Sequence, residues 1–281
     1  MSGTPATQPL DHPLLVSHAY GLVAAECVAR LPGDVPRWPT AQGALAHSAA
    51  LPPVLVPLET LPAQTIGALQ ETVGAQGAAG EAPLFCALLD SAASPERLQA
   101  HLGLVQLITG PAGRRAWLRL HDARVWLQLR RLLSEAQLAA ILGPITRWSV
   151  LVQGELVSHE SAAVVPARRL HADAQDWERV MRIGVVNRGL ARRGMATAAE
   201  VDRHSPAVDA LVQRGQERHG LSRTEELVEY ACLGLAVHPR FDEHPEVLRM
   251  LARDASPDAV MDTLLSIDPE SRERIGVDLR A

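Results

Sequence analysis

Arg119, Asp122 and Arg124 are the densest polar trio in this chain of 281 residues, and together with its 11 histidines they are where chemistry would first be sought. A carboxylate set between two guanidiniums brings neither a nucleophile nor a general base of suitable pKa. Charge-assisted pairs of this kind commonly fasten one element to the next, so the trio reads as a lock between a strand and the following helix. The histidines lack metal-ligand spacing. His12, His18 and His47 are scattered among loops and small residues, and His238 and His244 flank Pro239 and Phe241 without a second ligand pair. No H-E-x-x-H, G-x-S-x-G, phosphate-binding loop or dinucleotide fingerprint occurs. Trp117, Trp126 and Trp148 gather around the trio and read as packing residues, although large aromatics also anchor interfaces. The residue types therefore assign no catalytic residue, no metal and no cofactor.

The elements that must hold the trio run from Ala116 to Trp148. Trp117, Arg119 and His121 alternate with Ala116, Leu118 and Leu120, which predicts a half-buried strand. Asp122 is a good N-cap, and Val125, Leu129, Leu132 and Leu133 then recur at helical spacing. Ser134 and Gln137 form a capping box that starts a second helix, with Leu138, Ile141 and Leu142 as its apolar stripe. Gly143 can take the left-handed conformation that closes a helix, and Pro144 cannot continue one.

This stretch resembles the signature of the type VI secretion effector chaperones, also called adaptors, a family first catalogued as a domain of unknown function. There a strand ending in roughly R-F-Y-D-P-R-V leads into a leucine-rich helix, a glutamine, F-G-P and a tryptophan. The matching residues are Arg119, Asp122, Arg124, Val125, Gln137, Gly143, Pro144 and Trp148. Leu120 and His121 stand where the family has aromatics, and Ala123 replaces a proline that would preorganise the first helical turn. The resemblance implies a cytoplasmic, non-enzymatic protein whose partners are a secreted effector and a VgrG or PAAR spike protein. By the same analogy an α/β lobe and a variable helical lobe form a cleft or clamp.

Composition agrees with a folded chain: 47% of the residues are hydrophobic, enough for one large domain or two smaller ones. The net charge of −5 gives no general drive toward nucleic acid or anionic membrane. Every basic side chain other than histidine is arginine, which reads first as base composition and second as a preference for bidentate contacts. Cys27, Cys86 and Cys232 form neither a disulfide framework nor a C-x-x-C pair and suit a reducing cytoplasm. The opening MSGTPATQPLDHP carries no signal-peptide pattern, and no apolar run is long enough to span a membrane.

The expected fold class is α+β: residues 1–13 a loose tail, residues 14–165 an α/β lobe with a small mixed sheet flanked by helices, and residues 166–281 an all-α lobe. Along the first lobe, Leu14–Val28 reads as strand then helix or as one helix. A short helix is expected at Ala41–Ala50, a strand at Val54–Leu58 and a helix from Thr60 to about Ala75. A glycine-rich turn follows at Gln76–Glu81, then strands at Pro83–Leu89 and Gly103–Thr109, and a hairpin around Gln153-Gly154. In the second lobe, helices are expected over Asp173–Arg193 and from Thr197, Ser205, Ser222 and Ser256. Arg168, Arg169, Arg179, Arg182, Arg188, Arg192 and Arg193 form a basic strip there, which reads either as a docking surface or as solvated faces pairing with one another. Two other functions remain open from sequence. One is an enzyme of unrecognised family, hydrolase-like, with its site between the lobes; the other is a nucleic-acid-binding regulator using the arginine strip.

Overall fold

The structure, a computed structural model, describes residues 8–9, 15, 17–41, 52–79, 83–161, 164–166, 168–253 and 259–280. Its strands are β1 (Gln8–Pro9), β2 (Tyr20–Val23), β3 (Trp38–Pro39), β4 (Val54–Pro57), β5 (Phe85–Asp90), β6 (Leu107–Thr109), β7 (Arg115–Trp117), β8 (Arg147–Val152) and β9 (Glu155–Glu160). Seven of them form one sheet in the order β1-β9-β8-β5-β2-β4-β3, and β6 pairs with β7 in a second. Each pairing in the large sheet is antiparallel rather than mixed, because the chain reverses between every pair of neighbours. Among the described residues, an isolated bridge between Thr109 and His171, beside β6, is parallel.

The first unit's helices are α1 (Ala63–Ala79), α2 (Pro95–Val105), α3 (Ala123–Leu132) and α4 (Glu135–Leu142), and a 3-10 helix spans Ala25–Arg30. Strand alternation puts Leu88, Ser149 and Leu156 on one sheet face and Leu89, Trp148 and Val157 on the other. Leu88 and Leu156 join Val56, Cys27 of the 3-10 helix and Leu69 of α1 in one buried cluster. On the opposite face Trp126 of α3 stacks on Trp148.

After these come α5 (Ala174–Arg192), α6 (Ala198–His219), α7 (Thr224–Ala236), α8 (Pro245–Arg253), α9 (Val260–Leu265) and α10 (Pro269–Asp278). The chain divides into two compact units, Met1–Glu178 and Arg179–Ala281, with the division inside α5. Residues 170–172 stay with the first unit because Leu170 and Ala172 exchange backbone hydrogen bonds with Thr109. The fold is α+β, a sheet with helices followed by helices alone, and no described helix is long and apolar enough to cross a membrane.

Several boundaries differ from the sequence expectations. Gln8 and Pro9, in the expected tail, pair with Leu156 and Glu155. Within Leu14–Val28, the described residues from Tyr20 on form a strand followed by a 3-10 helix. Helix α1 runs through Gly77 of the expected turn to Ala79, and α2 takes Gly103–Val105 from the expected strand. Ser205-Pro206 starts no helix. Pro206 lies inside α6, where it forfeits one backbone hydrogen bond while Val201, Val208, Leu211 and Val212 remain buried. Helix α7 is capped by Arg223 without a side-chain bond, so the Ser222 box does not form. The expected helices at Ala41–Ala50 and Ser256-Pro257 lie outside the described residues, apart from Ala41 itself.

Candidate binding site at the strand–helix motif

Strand β7 is shorter than predicted and belongs to the small sheet, not to the centre of the large one. Leu118 and Leu120 are buried and Arg119 is exposed, as alternation requires, but the backbone turns at Leu120 and His121 instead of continuing as strand. The turn carries His121 inward, with its ring centroid 5.8 Å from that of Trp117. Burial pushes the His121 pKa down to about 4. The Arg119 charge acts in the same direction, and Asp122 and Glu26 oppose it.

Asp122 accepts from the Arg124 amide at 3.0 Å, as an N-cap should, and the Arg124 guanidinium returns to both carboxylate oxygens at 3.1 and 2.9 Å. Arg119 stands 4.0 Å away on the other side. Burial disfavours the Asp122 charge, yet the Arg124 bonds and the two guanidinium charges outweigh it and hold the carboxyl below its ordinary range. The carboxylate is largely covered, whereas the Arg119 and Arg124 side chains are 54% and 64% exposed. The trio thus fixes the start of α3 and leaves its cations facing water.

The far end of the motif is fastened residue by residue. Ser134 and Gln137 make the predicted capping box, and the Gln137 side-chain amide also donates to Asp176 at 2.7 Å, tying α4 to the first turn of α5. Gly143 has φ 55° and ψ −109°, a positive φ but not the left-handed helical conformation expected of it, and a Cβ there would lie against the His101 ring. His101 is held in that place by donating from Nε2 to the Ile141 carbonyl at 2.7 Å. The Pro144 carbonyl accepts from Ser91 at 2.8 Å. Trp148 is wholly buried, its ring 4.9 Å from that of Trp126 and inclined by 24°.

The arginines of the expected strip differ in their surroundings. Arg182 is buried and donates to Asp209 at 2.7 Å, joining α5 to α6. Arg188 and Arg192 pair with Glu225 and Glu229 of α7. Arg168 and Arg193 are exposed, and Arg169 and Arg179 are half-buried. Arg168 and Arg169 belong to the first compact unit and the others to the second.

Three polar clusters were not anticipated from sequence. Arg147 donates to Asp90 at 2.6 Å, directly across the β5–β8 pairing, a charge pair whose partners are far apart in sequence. His18 Nε2 lies 3.0 Å from Ser149 Oγ, which lies 2.8 Å from Ser158 Oγ. This pair has the spacing of a nucleophile and its base, but Ser149 has no exposed surface on which a substrate could land. In the second unit, wholly buried Asp242 receives Arg214 Nε on both oxygens at 2.9 Å and lies 2.9 Å from His219. Burial opposes its charge, but His219 and Arg214 prevail and set its pKa at about 2. His244, in the same region, faces Asp278 at 3.3 Å. Among the described residues no group of three or more His, Cys, Asp or Glu is placed to hold a metal ion. Burial pushes the Cys86 thiol up to about 12, so it is no thiolate nucleophile at neutral pH.

No curated protein and no solved structure matches the chain. Residues 36–140, from just before β3 into α4 and including Arg119, Asp122, Arg124 and Gln137, match the model of a family described as Domain of unknown function (DUF4123).

Proposed function

We propose that this chain is a non-enzymatic chaperone, an adaptor that binds a type VI secretion effector inside the cell and helps load it onto a VgrG or PAAR spike protein. The observation that carries this reading is the family match over residues 36–140, together with the motif signature from Arg119 to Trp148 that the effector adaptors share. The motif side chains are engaged in caps, ion pairs and packing, as suits a scaffold that presents a surface. The pair nearest to hydrolase geometry, His18 and Ser149, is closed to water, which gives the enzyme reading no foothold there. The net charge of −5 likewise gives no support to a nucleic-acid partner.

The test is affinity capture of the tagged chain, without crosslinker, from cells that express the secretion machinery. A stoichiometric complex with a spike protein and a toxin-like cargo is the expected result. A clean chain with neither partner, from cells shown to make both, overturns the reading.

A further inference from the structure

Strand β7 is paired on one side, and among the described residues no strand pairs with its other side. Gly110 donates to the Arg114 carbonyl at 2.8 Å, Leu118 donates to the Gln106 carbonyl at 2.7 Å, and Ala116 stands opposite Ile108. Residues 114, 116 and 118 therefore face β6, and strand alternation turns the amides and carbonyls of Arg115 and Trp117 outward. Among the described residues no hydrogen bond reaches those four groups. The opposite edge of β6 is occupied, since Thr109 donates to Leu170 and accepts from Ala172. The outer strands of the large sheet, β1 and β3, have two residues each, one of them proline, and that is a common way to blunt an edge. Strand β7 contains no proline, and its guard against self-pairing is its short length and the charge of Arg115.

What surrounds this edge is cationic. Arg115 is exposed on the strand itself, and the Arg114 guanidinium lies 5.1 Å over the Trp177 ring; neither is in an ion pair among the described residues. Arg119 follows the strand with half its side chain in water, and the acid nearest to it, Asp122, is already committed to Arg124. Like charges disfavour a second copy of this edge, whereas carboxylates on an incoming strand would stand opposite the guanidiniums.

We propose that β7 is a docking edge for an extended acidic segment of a partner protein. The segment adds a strand by bonding to the backbone of Arg115 and Trp117 and sets its carboxylates against Arg115 and Arg119, which alternation puts on one face. This does not depend on the secretion reading, because it names the chemistry of the segment and not the protein that carries it.

The test uses the full chain and a fluorescent heptapeptide of alternating threonine and glutamate. Controls are the same peptide with lysine for glutamate, and two forms N-methylated on the threonine or on the glutamate amides. Expected are saturable binding of the acidic peptide that weakens with salt, slowed hydrogen exchange at the Arg115 and Trp117 amides, and a loss of about tenfold for one methylated form. Arg115→Pro removes an amide that bonds nothing in the free chain, and Arg114 at φ −56° and ψ 144° is already in the conformation a following proline requires. That variant should also bind about tenfold more weakly. Arg115→Glu, an exposed substitution, should do the same by charge alone and serves if the proline variant does not fold. Protected Arg115 and Trp117 amides in the free chain would mean that the edge is already covered and would overturn the proposal. So would equal binding of the lysine peptide, equal binding of both methylated forms, or no saturable binding at about millimolar peptide.

Discussion

His121 owes its protonation state to the turn that carries it inward. The folded ring resists protonation until about pH 4, mainly because it is buried, and Arg119 adds to the effect while Asp122 and Glu26 resist it. In the unfolded chain the same ring takes up a proton near its ordinary value of 6.5. Between those values the unfolded state binds more protons. Stability is therefore full at neutral pH, falls as pH drops from 6.5 to about 4, and loses up to about 3 kcal/mol to this one group. His101 and His159 are shifted in the same direction, also chiefly by burial. Replacing His121 alone should thus reduce the pH dependence without abolishing it. His121→Phe keeps an aromatic beside Trp117 and is expected to flatten the stability profile by about one proton over this window. Urea unfolding at neutral pH and at about pH 4, read by tryptophan fluorescence, measures it. An unchanged slope would mean that the ring is already protonated in the folded chain.

The same motif divides into parts that local sequence dictates and parts it does not. Asp122, the Ser134–Gln137 box and the Thr197–Glu200 box all form as their spacing predicts, because a cap closes within one helical turn. The hairpin at Gln153-Gly154 was equally legible: both residues have positive φ, 50° and 81°, as a two-residue turn of this kind demands. Strand membership was not legible. Whether β7 joins the large sheet or β6 depends on pairings distant in sequence, and no residue within β7 encodes them. For the same reason the Asp90–Arg147 and Arg214–Asp242 pairs were missed, and Ser205-Pro206, a plausible local start, was overridden by the packing of α6. Gly143 joins both kinds. Its positive φ follows from the helix stop, but the reason it tolerates no side chain is His101 on α2. Gly143→Ala should therefore cost more than about 2 kcal/mol, from the φ strain together with the displaced ring. The double variant with His101→Ala should relieve only the steric part of the Gly143 substitution. Comparing the double variant with each single one by urea unfolding separates the two contributions. A fully additive result would remove the ring contact as a cause.

An adaptor of the kind proposed above acts by occupying its partner rather than by turning one over. Occupation has a quantitative consequence. A protein that binds the folded form of its cargo stabilises it by RT ln(1 + [L]/Kd), about 2.7 kcal/mol at a hundredfold excess over Kd, and only while it remains bound. Once the cargo has been identified by capture, its resistance to heat aggregation should rise with added chain up to one equivalent and change little beyond. Sub-stoichiometric amounts should protect only their own share. An enzyme that modified or refolded the cargo would behave otherwise, since a small amount given time would protect all of it. Titrating the chain against a fixed amount of cargo, with light scattering followed at two incubation times, distinguishes the two behaviours. Protection that grows with time at sub-stoichiometric chain would overturn the adaptor reading and reopen the search for a catalytic site.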